Sequence, residues 1–174
     1  MRDREKYLVM KSDSTKIRAL KILGSRAMSA SEIEKRLISK GESAEDARDA
    51  VLWLEETGAI NDVDFAKIIV THYVSKGYGL AKIKDELYKR GIPKDLWEDA
   101  LEHISEDASE DSVQSYLEKK LRGSTDEKDI RRVSNALLRR GFNYQQVREA
   151  IGKYLENQPD NDADIDLDFD SNEF

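Results

Sequence analysis

Cysteine is absent from the 174 residues of this chain, which excludes a disulfide framework and any thiolate-bound metal. Two prolines and nine glycines leave long stretches without a helix breaker. Aromatic residues make up only 7% of the chain and charged residues 37%, so a single large aromatic core is not expected. Neither an apolar targeting segment nor a run of about 18 apolar residues is present. We therefore expect a cytoplasmic protein that does not enter a membrane.

The formal net charge of −7 is unevenly distributed along the chain. Residues 157–174 carry seven acidic side chains and no basic one, while the rest of the chain holds 29 of each sign. Residues 61–111 contain seven basic and twelve acidic residues, whereas residues 112–153 contain ten and five. Dense like charge with little to bury favours disorder. We predict a basic C-terminal unit followed by a disordered acidic tail over 157–174.

Three glycines recur at intervals of fifty residues, and each ends the same apolar pattern. Gly41, Gly91 and Gly141 all follow a leucine four residues earlier and an isoleucine or valine eight residues earlier. A fixed period of this kind predicts a tandem array of one supersecondary unit. An array presents a long continuous surface, which favours a binding protein over an enzyme. We place a leader at 1–12, either frayed or forming a short docking helix, and the three copies at 13–60, 61–107 and 108–156.

Each copy is predicted to form three short amphipathic helices, and no alternating β pattern competes, so the fold is predicted to be all-α. The first helices are predicted over 14–23, 62–76 and 112–122. In the first copy Ile33, Leu37 and Ile38 make the apolar stripe of the middle helix, and the repeated glycine ends that helix in a left-handed conformation. Ser-x-x-Glu capping boxes are predicted to start two middle helices, at Ser29 with Glu32 and at Ser124 with Glu127.

The third helix of each copy is predicted to begin at Ser43, Pro93 and Asn143 respectively, which are favourable helix-starting residues. Trp53 and Trp97 lie on the apolar sides of two of these helices. We therefore expect the two indoles to pack in the core rather than to stack on bases.

Side chains able to carry catalysis or to bind a metal are few. His72 and His103 have no acidic partner at a suitable spacing, and we expect both on helix surfaces. Asp62 and Asp64 are explained by capping of the helix that follows them. The segment 77–79 lacks the length and the preceding strand of a phosphate-binding loop. We predict no catalytic residue, no metal and no cofactor.

Basic side chains gather at the ends of the middle helices and along the third of them. One cation at a helix C-terminus complements the helix dipole and contributes only about 0.3–1 kcal/mol. That effect does not account for five cations on one helix, which instead suit phosphates or an acidic protein surface. The candidate partner- or DNA-binding residues are Lys76, Lys82, Lys89, Arg90, Lys128, Arg131, Arg132, Arg139 and Arg140.

Three stretches of the second copy resemble the signature of the RecX regulatory proteins. They are Gly-Ala-Ile-Asn-Asp-Val-Asp-Phe-Ala at 58–66, Lys-Gly-Tyr-Gly at 76–79, and Ile83-x-x-x-Leu87-x-x-x-Gly91-Ile92. The resemblance extends over roughly residues 14–155. It implies an elongated, curved array of three tandem three-helix repeats without catalytic residues, acting in DNA repair, DNA recombination and the SOS response.

The same resemblance implies a partner. RecX proteins are expected to lodge in the groove of the RecA–DNA filament, to contact recombinase and DNA, and usually to inhibit ATP hydrolysis and strand exchange. Because the body of this chain is neutral, we expect contact with RecA to dominate and binding to single- or double-stranded DNA by the isolated monomer to be weak. The acidic tail is expected to compete with DNA for the basic third copy.

Two other functions remain open from the residues alone. A helix-turn-helix-like transcriptional regulator would need side chains that read base edges. Only the third copy offers such a set: Asn143, Gln145, Gln146 and Arg148. A helical scaffold for some other protein is the remaining alternative.

Overall fold

The computed structural model describes residues 2–24, 26–102, 104 and 106–158, and the side chains of all of these except 2–12 and 106–109. These described residues form nine α-helices and one 3-10 helix with no strand, so the all-α prediction is confirmed. His103 and most of the predicted acidic tail lie outside the described residues. The helices are α1 Arg2–Leu23, α2 Ala30–Ser39, α3 Ala44–Glu56, α4 Asp62–Ser75, α5 Leu80–Lys89, the 3-10 helix Lys94–Leu96, α6 Trp97–Leu101, α7 Glu106–Leu121, α8 Glu127–Arg139 and α9 Tyr144–Glu156.

The fold divides into two compact units. Of the described residues, unit 1 takes those within Met1–Val70 and Lys84–His103, and unit 2 takes those within Thr71–Ile83 and Ile104–Phe174. Helices α4 and α5 contribute to both units, because the divisions fall inside them. Residues 2–12, predicted as a leader, continue the first helix without a break.

The core of unit 1 is built by α1, α2 and α3. Leu37 and Leu54 are fully buried there, as their spacing predicts, and Trp53 packs against the same cluster. Ile38 was expected in the apolar stripe, but its side chain is 43% exposed. It follows Leu37 by about 100° around the helix, which turns it away from the core. The buried cluster is Ala19, Ile22, Met28, Ile33, Leu37, Ala47, Ala50, Val51, Leu54 and Ile60.

The core of unit 2 repeats this arrangement with α7, α8 and α9. Tyr154 takes the place that Leu54 has in unit 1, and its buried hydroxyl accepts a hydrogen bond from Gly123 N–H at 2.8 Å. The buried cluster is Val113, Leu117, Leu121, Ile130, Val133, Leu137, Phe142, Val147, Ala150, Ile151, Tyr154 and Leu155.

The repeated glycines end α2, α5 and α8 as predicted. Gly41, Gly91 and Gly141 have φ angles of +94°, +68° and +91°, in the left-handed region. In all three turns the glycine N–H bonds the carbonyl three residues back, and the next N–H bonds the carbonyl of the leucine five residues back. This paired pattern satisfies carbonyls that the helix end would otherwise leave free.

Of the four helix starts at which a Ser or Asn side chain was predicted to accept from the backbone, three are correct and one is wrong. The Ser29–Glu32 box forms at α2, and Ser43 and Asn143 cap α3 and α9. The Ser124–Glu127 box does not form. Helix α8 is capped instead by Asp126, whose carboxylate accepts from the N–H groups of residues 128 and 129. Asp126 stands directly before the helix, where its short side chain reaches the free N–H groups.

Pro93 starts a 3-10 turn rather than an α-helix. The turn Lys94–Leu96 precedes α6, which is only five residues long. Proline has no side-chain acceptor for the first free N–H groups, unlike Ser43 and Asn143 at the equivalent positions. The Leu96 N–H therefore bonds the Pro93 carbonyl at 3.1 Å, which tightens the turn.

Candidate binding surface of unit 2

Helix α8 separates apolar and basic side chains onto opposite faces. Ile130, Val133 and Leu137 are buried in the core of unit 2. The outward face carries four exposed cations, which we call the cationic face of α8: Lys128, Arg131, Arg132 and Arg139. The helical period alone predicts this separation, because residues three and four apart share one side.

The ion pairs on the cationic face of α8 are local and solvent-exposed. Arg131 lies 3.3 Å from Glu127, and Arg132 lies 2.9 Å from Asp129, both within one turn of the same helix. Exposed pairs of this kind contribute about 0–1 kcal/mol and exchange easily with an incoming anion. Within the described part of the chain, neither Lys128 nor Arg139 forms an ion pair.

Arg140, the next residue, has a different environment from the cationic face. Its guanidinium carbon lies 5.1 Å from the centre of the Tyr78 ring and 4.6 Å from that of Tyr116. Its Nη1 donates hydrogen bonds to the carbonyls of Lys76 at 3.0 Å and Gly77 at 3.1 Å. We call Tyr78, Arg140 and Tyr116 the tyrosine–arginine stack. These contacts fix the Arg140 guanidinium in place, and they also hold the turn at Lys76 and Gly77 against the end of α8.

The backbone beside the tyrosine–arginine stack forms a close joint. Gly79 N–H donates to the Arg140 carbonyl at 2.9 Å, and Ala81 N–H donates to the Gly141 carbonyl at 3.1 Å. The C-terminal carbonyls of α8 thus meet the N-terminal N–H groups of α5, which satisfies both helix ends. A Cβ added to Gly141 would lie 2.7 Å from Lys82 Cβ and closer still to Lys82 N.

The other two predicted cations of unit 2 flank this joint. Lys76 follows α4, is exposed, and presents its carbonyl to Arg140. Lys82 lies in the first turn of α5, half-buried where Gly141 approaches its backbone. The structure therefore places the backbones of Lys76 and Lys82 against the C-terminal end of α8, beside Arg140 and Gly141.

The two predicted cations of unit 1 face carboxylates. Lys89 Nζ lies 2.7 Å from Asp85, and the hydrogen bond to that carboxylate raises the pKa of Lys89 above its ordinary value of 10.5. Arg90 is half-buried, 2.8 Å from Glu86 and 3.5 Å from Glu32. These pairs neutralise the end of α5 in unit 1, so this pair of cations is a weaker candidate for binding an anion than the cationic face of α8.

Asp62 does not cap α4, contrary to the expectation from its position. Asn61 takes that role, accepting from the N–H of residues 63 and 64, and Asp62 accepts instead from Ala30 N–H at 2.9 Å. Burial raises the pKa of Asp62 above 3.8, the Ala30 hydrogen bond opposes the shift, and Glu32 adds to it. Asp62 therefore holds the start of α2, a long-range contact that no local signal predicts.

Sequence reasoning missed two residues in or beside the tyrosine–arginine stack, Tyr116 and Lys120 on α7. Lys120 Nζ lies 5.8 Å from the centre of the Tyr116 ring. A tyrosine followed four residues later by a lysine was the available signal, because that spacing places both on one helix face. Further along the same surface, the exposed His72 meets the edge of Tyr73, and the Tyr73 and Tyr78 ring centres are 5.2 Å apart.

Among the described residues, no group of three His, Cys, Asp or Glu side chains is placed to hold a metal ion. No helix in the described ranges is long and apolar enough to cross a membrane.

The helix groups, whose middle helices end in the same glycine turn, define a protein of tandem three-helix repeats. Family models for the second and third three-helix domains of RecX match residues 61–101 and 109–151. The chain belongs to the RecX family of regulatory proteins. It is 32% identical to regulatory protein RecX of Legionella pneumophila strain Corby over 137 residues, which is 78% of this chain and 88% of the relative.

Other relatives agree with this assignment. Regulatory protein RecX of Chromohalobacter salexigens is 29% identical over 139 residues, covering 80% of this chain and 91% of the relative. The fold is similar to the crystal structure of RecX from Lactobacillus salivarius, with a TM-score of 0.75 at 23% identity, covering 83% of this chain and 97% of that one.

Proposed function

We propose that this protein regulates a RecA recombinase by binding in the groove of the RecA–DNA filament, where it inhibits ATP hydrolysis and strand exchange. Membership of the RecX family carries the proposal. In this proposal the predicted cationic set serves to bind the filament.

The cationic face of α8 supplies the DNA contact in this proposal. Four exposed side chains lie on one side of a helix whose other side is locked into the core, so they are presented without a refolding cost. Neutralising one phosphate of a single strand contributes about −0.7 to the logarithmic salt slope of affinity. Four engaged cations therefore predict a slope of about −3 for the DNA component of binding.

The test compares two matched triple variants in a RecA ATPase and strand-exchange assay. The first reverses Lys128, Arg132 and Arg139 to glutamate. The second reverses three exposed cations of the equivalent helix α2 and its C-cap, Lys35, Arg36 and Lys40. Both change the net charge by the same amount, and circular dichroism confirms folding. Arg140 is left intact, because it holds the joint between α8 and α5.

We expect the parent protein and the α2 variant to lower the ATPase rate at stoichiometric amounts, and the α8 variant to require a higher concentration. Equal behaviour of the two variants would remove the cationic face of α8 from the mechanism. No effect of the parent protein on the recombinase would refute the proposed function. A footprint on duplex DNA without recombinase would favour the transcriptional regulator instead.

A further inference from the structure

The tyrosine–arginine stack combines aromatic rings with a fixed positive charge. No carboxylate among the described residues pairs with Arg140, whose partners are two rings and two backbone carbonyls. The carbonyls set the position of the guanidinium without cancelling its charge. Arg90 at the end of α5 differs in this respect, because its guanidinium meets the Glu86 carboxylate.

Three further basic residues lie beside the stack in space or in sequence. Lys120 lies over the Tyr116 ring at 5.8 Å, Lys76 offers its carbonyl to Arg140, and Arg139 is the adjacent residue. All three side chains are exposed. Tyr78 and Tyr116 are half-buried, so their rings are held by the fold while part of each remains at the surface.

We infer that the tyrosine–arginine stack, with Lys120, Lys76 and Arg139, is a binding subsite for single-stranded DNA that recognises an unpaired base by stacking and its phosphates by charge. Rings with nearby cations are the general means by which proteins hold single strands without reading their sequence. A duplex cannot use the site fully, because its base faces are covered by neighbouring bases. The inference deepens the proposed function and rests on it only for the biological setting of the DNA.

The test uses the full-length protein alone, without recombinase, so that the two proposals fail separately. Fluorescence anisotropy measures its affinity for an oligo-dT strand of about 15 nucleotides, an abasic strand with the same number of phosphates, and the matching duplex. We expect the base-bearing strand to bind about tenfold more tightly than the abasic strand, which is about 1.4 kcal/mol of stacking.

Two pairs of variants assign the effect to residues. Tyr116→Leu keeps apolar contact with the core but removes the ring, and should abolish the preference for base-bearing DNA. Its control, Tyr88→Leu, removes a 67% exposed tyrosine from α5 and should leave the preference unchanged. Lys120→Gln should weaken both strands equally and reduce the salt slope by about 0.7, whereas Lys119→Gln, on the adjacent exposed lysine, should not.

Equal affinity of the parent protein for base-bearing and abasic strands would overturn the subsite, as would equal or tighter binding of the duplex. The subsite would also be overturned if Tyr116→Leu, shown by circular dichroism to be folded, retains the preference for base-bearing DNA. Measuring RecA ATPase with this variant separates the proposals. Loss of base preference with inhibition intact would support the subsite and place regulation in the recombinase contact.

Discussion

Substitution of Gly41 and of Gly141 distinguishes two reasons why a position requires glycine, namely a left-handed backbone conformation and the close approach of another segment. Both end a middle helix in the same hydrogen-bonded turn, with φ of +94° and +91°. A Cβ on Gly41 would meet nothing within 4 Å, whereas a Cβ on Gly141 would press into the backbone of Lys82. Alanine at either site would be held in the unfavourable left-handed conformation, but only Gly141→Ala must also displace α5.

The expected magnitudes differ accordingly. The left-handed conformation costs an L-residue about 1–2 kcal/mol, which is the full cost predicted for Gly41→Ala. In Gly141→Ala, displacement of α5 also breaks the two hydrogen bonds from Gly79 and Ala81. Each adds about 0.5–1.5 kcal/mol. We predict a loss of about 2–5 kcal/mol for Gly141→Ala, at least about 1 kcal/mol beyond that of Gly41→Ala.

Gly79→Ala isolates the close approach. Its φ is not in the left-handed region, yet a Cβ there would collide with the backbone of Gly141 and Phe142. We expect this variant to be destabilised through the collision and the loss of the joint's hydrogen bonds.

The assay is urea unfolding followed by two probes. Trp53 and Trp97, the only tryptophans, both belong to unit 1, so their fluorescence reports that unit, while circular dichroism reports all helices. Gly41→Ala should shift the fluorescence transition. Gly141→Ala and Gly79→Ala should shift the dichroism transition more than the fluorescence one. Equal losses of stability for Gly41→Ala and Gly141→Ala would refute the role of the close approach.

Three further predictions concern the Tyr154 hydroxyl, the Asp62 carboxylate and the acidic tail. Tyr154→Phe removes the acceptor for Gly123 N–H, and should cost about 1 kcal/mol in urea unfolding; an unchanged midpoint would show that water replaces the hydroxyl. Asp62→Asn keeps an acceptor for Ala30 N–H but removes a charge that burial disfavours, so the variant should be more stable than the parent at pH 7. Because the folded parent holds this proton more tightly than the unfolded chain, that advantage should shrink as the pH falls through the raised pKa towards 3.8; a pH-independent difference would contradict it. Deleting residues 157–174 should raise single-strand affinity and steepen its salt dependence if the tail competes for the cationic face; unchanged values at two salt concentrations would exclude competition.

Local signals in the sequence account for much of the fold. The amphipathic periods of α2 and α8, their glycine ends, and the caps at Ser29 and Asn143 depend on residues within one or two turns of each other. The cationic face of α8 could be predicted for the same reason, since a helical period fixes which side chains lie opposite the core.

Contacts between residues far apart in sequence could not be predicted in this way. Asp62 bonds Ala30, 32 residues earlier, and Arg140 bonds the carbonyls of Lys76 and Gly77, 64 and 63 residues earlier. Capping the next helix and facing solvent were the locally reasonable expectations for the two side chains. In the folded chain both side chains reach distant helix ends instead. There Asp62 and Arg140 form hydrogen bonds with backbone groups that the helices leave free.

Binding to the RecA–DNA filament is the step on which the proposed regulation depends. Its most direct measurement compares the dissociation constants of this protein for RecA filaments assembled on single-stranded DNA, for the same DNA without RecA, and for RecA without DNA. The filament should bind more tightly than either component, and reversal of Lys128, Arg132 and Arg139 should weaken that binding. Equal affinity for filament and bare DNA, or no affinity for the filament, would contradict the proposed function.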